Sequence, residues 1–262
     1  MPKSVGVGDR PGAWPCAYCH QETGEGGPES AALTGLSVAY ITEQLAEFRS
    51  GRRRAAEPRM KAPHGMEAES RKLRPAALAE AAAYYAGLTY RPRIAVVESD
   101  SAPKVVVHAG LIYVKSPAGG TGPLRDRIVE VPDDVHQWDL GNPHATFTVF
   151  VPKGSAGGVS APCGSCHGID YKGTATAPPL AGRSPSYLAR QLFDMQYGTR
   201  SGPAVAPMVP EVAHMTASDR VAIVACLASL RPWSSRQCAD REPRNAGPRR
   251  RRETGTQPAN GR

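Results

Sequence analysis

Apolar positions Val38, Ile41, Leu45 and Phe48 recur near helical spacing and predict a helix that ends by Gly51. A segment of the same kind runs from about 186 to 197 and stops at Gly198. Two Ala- and Leu-rich stretches, 75–88 and 217–230, predict two further helices, the second opened by a Thr216 or Ser218 cap. Between these pairs the pattern changes. Runs of β-branched residues at 94–97, 105–114, 128–131 and 146–151, separated by Pro, Gly and Asp, predict strands. Beyond Pro232 the chain is polar, Arg-rich and interrupted by proline, which predicts disorder.

The helical segments belong to a repeat. When Cys16 is laid on Cys163, the residues Cys19, His20, Gly26, Leu33, Gly35, Ser37, Tyr40, Gln44, Leu45, Gly51 and Arg53 fall without a gap on Cys166, His167, Gly173, Leu180, Gly182, Ser184, Tyr187, Gln191, Leu192, Gly198 and Arg200. After a short deletion the register resumes, pairing Met66 with Met208, Ala83 with Ala225, Ala86 with Ala228 and Leu88 with Leu230. The expected organisation is a mainly α chain. A first module spans 1–92, a small β-rich insertion 93–153, a second copy of the module 154–232, and a basic tail 233–262.

Composition adds a constraint. Aromatic residues make up 6% of the chain, against 25 prolines and 27 glycines. Each module therefore has little with which to fill a core, and a large apolar cofactor at its centre is physically attractive. The formal net charge is +8. Much of that excess lies in 236–262, where arginines outnumber Asp240, Glu242 and Glu253, so basicity alone does not argue for a nucleic-acid partner. No run of 18 or more apolar residues is present, so no transmembrane segment is expected and any membrane association would be peripheral.

The repeat centres on chemistry. Cys16, Cys19 and His20, and Cys163, Cys166 and His167, each spell CxxCH. Two thiols one helical turn apart reach the two vinyl groups of a porphyrin, and the histidine that follows points its imidazole at the iron. The four cysteines are the expected thioether tethers of two haem c groups, and His20 and His167 the proximal iron ligands. Zinc bound by the four thiols would leave both histidines and the duplicated methionine without a role. A thioredoxin-like CxxC would need a βαβ context that is missing here.

A pure electron carrier needs a second axial ligand, and a thioether sulfur favours the ferrous state. Met66 and Met208 are expected in that role because they alone occupy equivalent positions in both copies. Met60 and His64 are rivals at the first haem, as are His214 and Met215 at the second; His108, His136 and His144 read as surface or turn residues. A backbone carbonyl should accept the imidazole N–H of each proximal histidine. The candidates are Pro178 or Pro179 in the second copy and Ala31 or Ala32 in the first. Tyr40 and Tyr187 read as packing residues against the porphyrin, and Cys226 as buried filler.

With both motifs, the Pro179-Leu180-Ala181-Gly182 segment, the paired methionines and the closing helix around 82–86, the chain resembles class I cytochromes c. It is similar in particular to di-haem cytochromes of the c4 kind with an insertion between the halves. The resemblance covers roughly 14–90 and 160–231. It implies two mostly helical domains, each holding a low-spin His/Met haem, in the periplasm or facing it. It also implies electron transfer without substrate chemistry, from a dehydrogenase or quinol-oxidising complex to an oxidase. The alternative is a haem enzyme or enzyme subunit, peroxidase-like or thiosulfate-oxidising, with one exchangeable axial position. Two departures stand out. The family's helix before each haem motif is expected to be lost here, because 11–15 and 152–162 are rich in Gly and Pro. Residues 1–15 also lack the apolar stretch of an export leader, so the recorded start is expected to lie downstream of the true one or the leader to have been lost.

Overall fold

The computed structural model describes residues 1–9, 11–109, 112–142, 144–157 and 163–231. The Arg-rich tail, 233–262, lies outside the described residues. The chain opens with one helical turn, α1 (Lys3–Gly6), and a second turn, α2 (Ala17–His20), ends on the first motif's histidine. The long helix α3 (Val38–Ser50) starts where the Ser37 side chain accepts the Tyr40 N–H and stops at Gly51, whose φ of 76° is the left-handed conformation that glycine adopts freely. α4 (Lys61–Lys72) and α5 (Pro75–Ala86) complete the first half. Ile41 of α3 packs with Ala81, Ala82 and Tyr85 of α5.

Two features of this half depart from expectation. The residues before the first motif do form a helix, though only one turn of it. Val5 of α1 is fully buried against α5, and Ser4 donates its hydroxyl to Glu80 at 2.6 Å. α4 was not anticipated, because Pro63, Gly65 and many polar residues argue against it. Tertiary contact supplies what propensity lacks. Arg49 of α3 donates to the Ser70 carbonyl at 3.0 and 2.7 Å and to the Leu73 carbonyl at 2.9 Å, satisfying the C-terminal end of α4.

Residues 94–151 hold strands β1 (Ile94–Glu98), β2 (Ser101–Pro103), β3 (Val105–His108), β4 (Ile112–Lys115), β5 (Thr121–Pro123) and β6 (Val129–Pro132), a short helix α6 (Val135–Asp139), and β7 (Phe147–Val151). The apolar run at 105–114 is thus two antiparallel strands, with Val106 opposite Val114. β7 is central in a three-stranded sheet, parallel to β1 and antiparallel to β6. This sheet is tied to both halves. Arg93 reaches the Gly26 carbonyl of the first half, and Glu130 of β6 accepts the Ser184 hydroxyl of the second at 2.8 Å.

The second half contains a 3-10 turn (Ser155–Gly157), α7 (Cys163–His167), α8 (Pro185–Gln196), a second 3-10 turn (Pro203–Val205), α9 (Met208–Val212) and α10 (Ala217–Ser229). Thr216 and Asp219 form a reciprocal capping box at the start of α10. α10 is the most buried helix of this half, with Val224, Ala225 and Cys226 fully inaccessible. Cys226 is not simple filler, since it is disulfide-bonded.

The halves meet through residues that the repeat pairs. Arg53 donates to Gln44 of its own half at 2.8 Å and, across the join, to the Tyr187 hydroxyl at 2.7 Å and Gln191 at 3.0 Å. Arg200 does the converse. It donates to Gln191 of its own half, and to the Tyr40 hydroxyl and Gln44 across the join, each at 3.0 Å. Arg53 and Arg200 also form an antiparallel backbone bridge, flanked by Arg54 N–H to Thr199 O and Ser201 N–H to Arg52 O, both 2.8 Å. Both guanidiniums are buried, and among the described residues neither forms an ion pair.

Candidate haem sites

Each motif histidine ends a short helical turn and is buried, His20 on α2 and His167 on α7. The Nδ1–H of His20 donates to the Ala31 carbonyl at 2.8 Å; that of His167 donates to the Pro178 carbonyl at 2.7 Å. A carbonyl has no proton to give, so this contact fixes the tautomer and leaves Nε2 with its lone pair, the form in which imidazole binds a metal. Burial lowers the pKa of both rings, opposed by the carbonyl contact, so both are neutral at physiological pH.

The loop from His20 to Ala31 owes its shape to tight turns. Gly26 N–H returns to the His20 carbonyl at 3.1 Å, and Gly24, at φ 68°, accepts the Leu33 and Thr34 N–H groups on its carbonyl. A side chain on Gly24 would strike Tyr85 of α5 at 2.5 Å, so glycine is required there for packing as well as for φ. The second copy folds in the same way, with Gly173 N–H on the His167 carbonyl at 2.9 Å.

Cys16, Cys19, Cys163 and Cys166 are all free thiols. Burial pushes Cys16 up to about 11 and also raises Cys19 and Cys163, so these thiols are protonated and are not standing nucleophiles.

A cavity of about 570 Å³ gathers the second set. Cys163, Cys166, His167 and Met208 all line it, with Leu188, Leu192 and Ile223 among its apolar walls. The sequence rivals Met215 and His214 share the lining with Met208, as does Met195. Residues of the join, Tyr40, Gln44, Tyr187, Gln191 and Arg200, form a polar part of the same wall. The residues fit a haem: an apolar enclosure, two thiols one turn apart, a neutral imidazole with a free Nε2, and thioether sulfurs within one cavity.

The first set is distributed differently. Cys16 packs against the core shared by α1, α3 and α5, whereas Met66 is half-buried on α4. Met60 precedes that helix, and the exposed His64 is turned to the Pro58 carbonyl at 3.1 Å. Tyr40 and Tyr187 are expected from the sequence to pack against the porphyrin. They line the cavity and also accept hydrogen bonds from arginines of the opposite half. The signal was available, since Tyr, Gln and Arg are identical in both copies, but only the folded join shows that each set serves the other. His108 pairs with Asp139 at 2.8 Å, away from either motif.

No protein-family model matches the chain, and no curated protein matches it either. Among solved structures it is similar to the thiosulfate dehydrogenase TsdBA of Marichromatium purpuratum, at 25% identity with a TM-score of 0.57 over 88% of this chain. The chain spans 39% of the length of that protein. It is also similar to cytochrome c4 of Acidithiobacillus ferrooxidans, at 20% identity over 82% of this chain and 98% of the other, TM-score 0.48. Cytochrome c4 of Pseudomonas stutzeri matches at 19% identity over 82% and 93%, TM-score 0.46. With its two CxxCH turns, the chain has the fold and attachment motifs of a di-haem c-type cytochrome, whose cofactors are two covalently bound haem c groups. No described helix is long and apolar enough to cross a membrane.

Proposed function

We propose that the chain is an electron carrier, built as a duplicated haem module (1–92 and 154–232) with the strand-bearing segment 93–153 inserted between the copies. Cys16 and Cys19 tether one haem and Cys163 and Cys166 the other; His20 and His167 are the proximal ligands, and Met66 and Met208 the distal ones. A haem held in this way supplies reversible one-electron chemistry at iron. The protein's residues do the rest. The Ala31 and Pro178 carbonyls hold the imidazoles in one tautomer and orientation, and the apolar wall around His167 keeps water away. The observation that carries this reading is the gathering of Cys163, Cys166, His167 and Met208 around one cavity.

The partners in this reading are redox proteins, a dehydrogenase or quinol-oxidising complex as donor and an oxidase as acceptor. The compartment is the periplasm. Haem attachment to CxxCH and the disulfide at Cys226 both suit an oxidising environment. The direct test is a pyridine haemochrome assay with intact mass on protein exported behind a working leader. Two covalent haems are expected, and one fewer in the Cys163→Ser/Cys166→Ser variant. A protein of apo mass, or one binding zinc through the four thiols, would end the proposal.

The likeness to a thiosulfate dehydrogenase favours a second reading, an enzyme-associated cytochrome in which one iron has an exchangeable ligand. Carbon monoxide added to the reduced protein separates the two. Rapid binding at one haem supports the enzyme, and no binding supports the carrier.

A further inference from the structure

The repeat is broken at one place that matters to both haem sites. Where the first copy has Leu36, the second has Arg183, with Gly35 paired to Gly182 before it and Ser37 to Ser184 after it. Arg183 is 5% exposed. Its guanidinium leaves its own half: Nη1 donates to the Ala32 carbonyl at 3.1 Å and Nη2 to the Thr34 carbonyl at 2.7 Å. The guanidinium sits over the Tyr90 ring, its Cζ 4.0 Å from the ring centre. Its Nε is buried without a hydrogen-bond partner, and no described carboxylate lies within ion-pair distance of it.

Ala32 follows Ala31, whose carbonyl accepts the His20 Nδ1–H at 2.8 Å. Thr34 is fully buried and pins the same loop internally, giving its hydroxyl to the Gly24 carbonyl at 3.1 Å. Arg183 therefore fastens the loop of the first motif's histidine from the other half of the molecule. It also lines the cavity that contains His167 and Met208. A buried guanidinium stays charged and has only neutral acceptors here, so its field reaches both sites with little screening. The reverse contact is of another kind: Leu36 has nothing to donate, and Tyr90 of the first half gives its hydroxyl to the Gly182 carbonyl, next to Arg183, at 2.5 Å.

We infer that Arg183 is a positioning residue for His20. From the second module it holds the Ala31 carbonyl where the His20 imidazole requires it, and its charge raises the reduction potentials of both haems. The inference rests on the proposed role of His20 as an iron ligand.

The test uses the exported di-haem protein and two variants. Arg183→Leu installs the residue of the first copy; Arg183→Lys keeps the charge but cannot donate to two carbonyls in the same fork. In the reduced, low-spin protein, solvent exchange of the His20 Nδ1–H is read by NMR, with the His167 Nδ1–H as internal control. A spectroelectrochemical titration gives the two midpoint potentials. Arg183→Leu should speed exchange at His20 about tenfold or more, on the scale of losing hydrogen bonds to a charged donor, while leaving exchange at His167 unchanged and lowering both potentials. Arg183→Lys should restore most of both potentials without restoring protection of His20. Unchanged His20 exchange in Arg183→Leu overturns the inference, and so does an equal acceleration at His167, which marks general loosening. If the wild type lacks two haems, or its His20 resonances show no haem shift, the functional reading beneath has failed instead.

Discussion

Gln44 is the most exposing place to perturb the join. Its Oε1 accepts from Arg53 Nη1 at 2.8 Å and from Arg200 Nη2 at 3.0 Å. Gln44→Leu keeps the shape and removes the acceptor. Arg200 Nη2 retains the Tyr40 hydroxyl, whereas Arg53 Nη1 loses the one acceptor described for it. A hydrogen bond to a charged group contributes about 1.5–3 kcal/mol, and a buried donor left unmet costs its full desolvation. Two such bonds are removed and one donor is left unmet, so the expected loss is about 3–6 kcal/mol. Gln191→Leu is the mirror case, stripping Arg200 Nη1 completely and Arg53 Nη2 in part, and should cost the same. Because both glutamines serve the same two guanidiniums, the double variant should lose less than the sum, with a coupling of about 0.5–3 kcal/mol. Gln44→Glu, which keeps an acceptor and adds a counter-charge, should hold the wild-type midpoint or exceed it. Urea unfolding of the holoprotein, followed by far-ultraviolet ellipticity and haem absorbance, gives all four midpoints. An unshifted midpoint in Gln44→Leu, or strict additivity in the double variant, would falsify the account of the join.

Further expectations concern other parts of the molecule. Burial raises the pKa of Glu130 above the ordinary glutamate value of 4.5, so the folded state holds that proton more tightly than the unfolded chain. Stability from this group is then present below 4.5 and lost as pH rises toward the folded value. Glu130→Gln should flatten that slope and raise the urea midpoint at pH 7; identical pH profiles for variant and wild type would contradict it. Phe147, 1% exposed and edge-on to Trp138 at 5.2 Å, anchors the central strand. Its replacement by Ala should cost about 3–5 kcal/mol in the same unfolding assay, and a loss near zero would mean the sheet is not packed as described. Met208→Ala should open one iron to carbon monoxide while the other stays closed. Equal spectra with and without the gas would remove Met208 from the ligand set.

Legibility in the sequence followed how local the cause was. α3 and α8 could be read because serine caps and terminal glycines bracket a helical apolar pattern, and each of those signals lies within the segment. α4 could not be read. Its Pro63 and Gly65 are unfavourable, and the Arg49 side chain that completes it comes from another helix. β2 and β5 were missed for a related reason, since a three-residue ladder containing Pro103, Gly122 and Pro123 has no apolar alternation to detect. At the sites, the motif cysteines and histidines were legible from spacing, and the Ala31 and Pro178 carbonyls from the repeat. The partnership of Gln44 with Arg200 was not, because it depends on how two distant segments meet.

In the proposed carrier, the join bears on the direction of electron flow. Each half offers Tyr, Gln and Arg in the same order, and each set is answered by the other, as in an isologous two-fold contact. Such a contact has no polarity, and exchanging the halves would leave it unchanged. Any preference for one end as electron entrance and the other as exit must therefore arise where the copies differ. Arg183 at the position of Leu36, Pro178 at the position of Ala31, and the ion pair of Arg190 with Glu29 are among those differences.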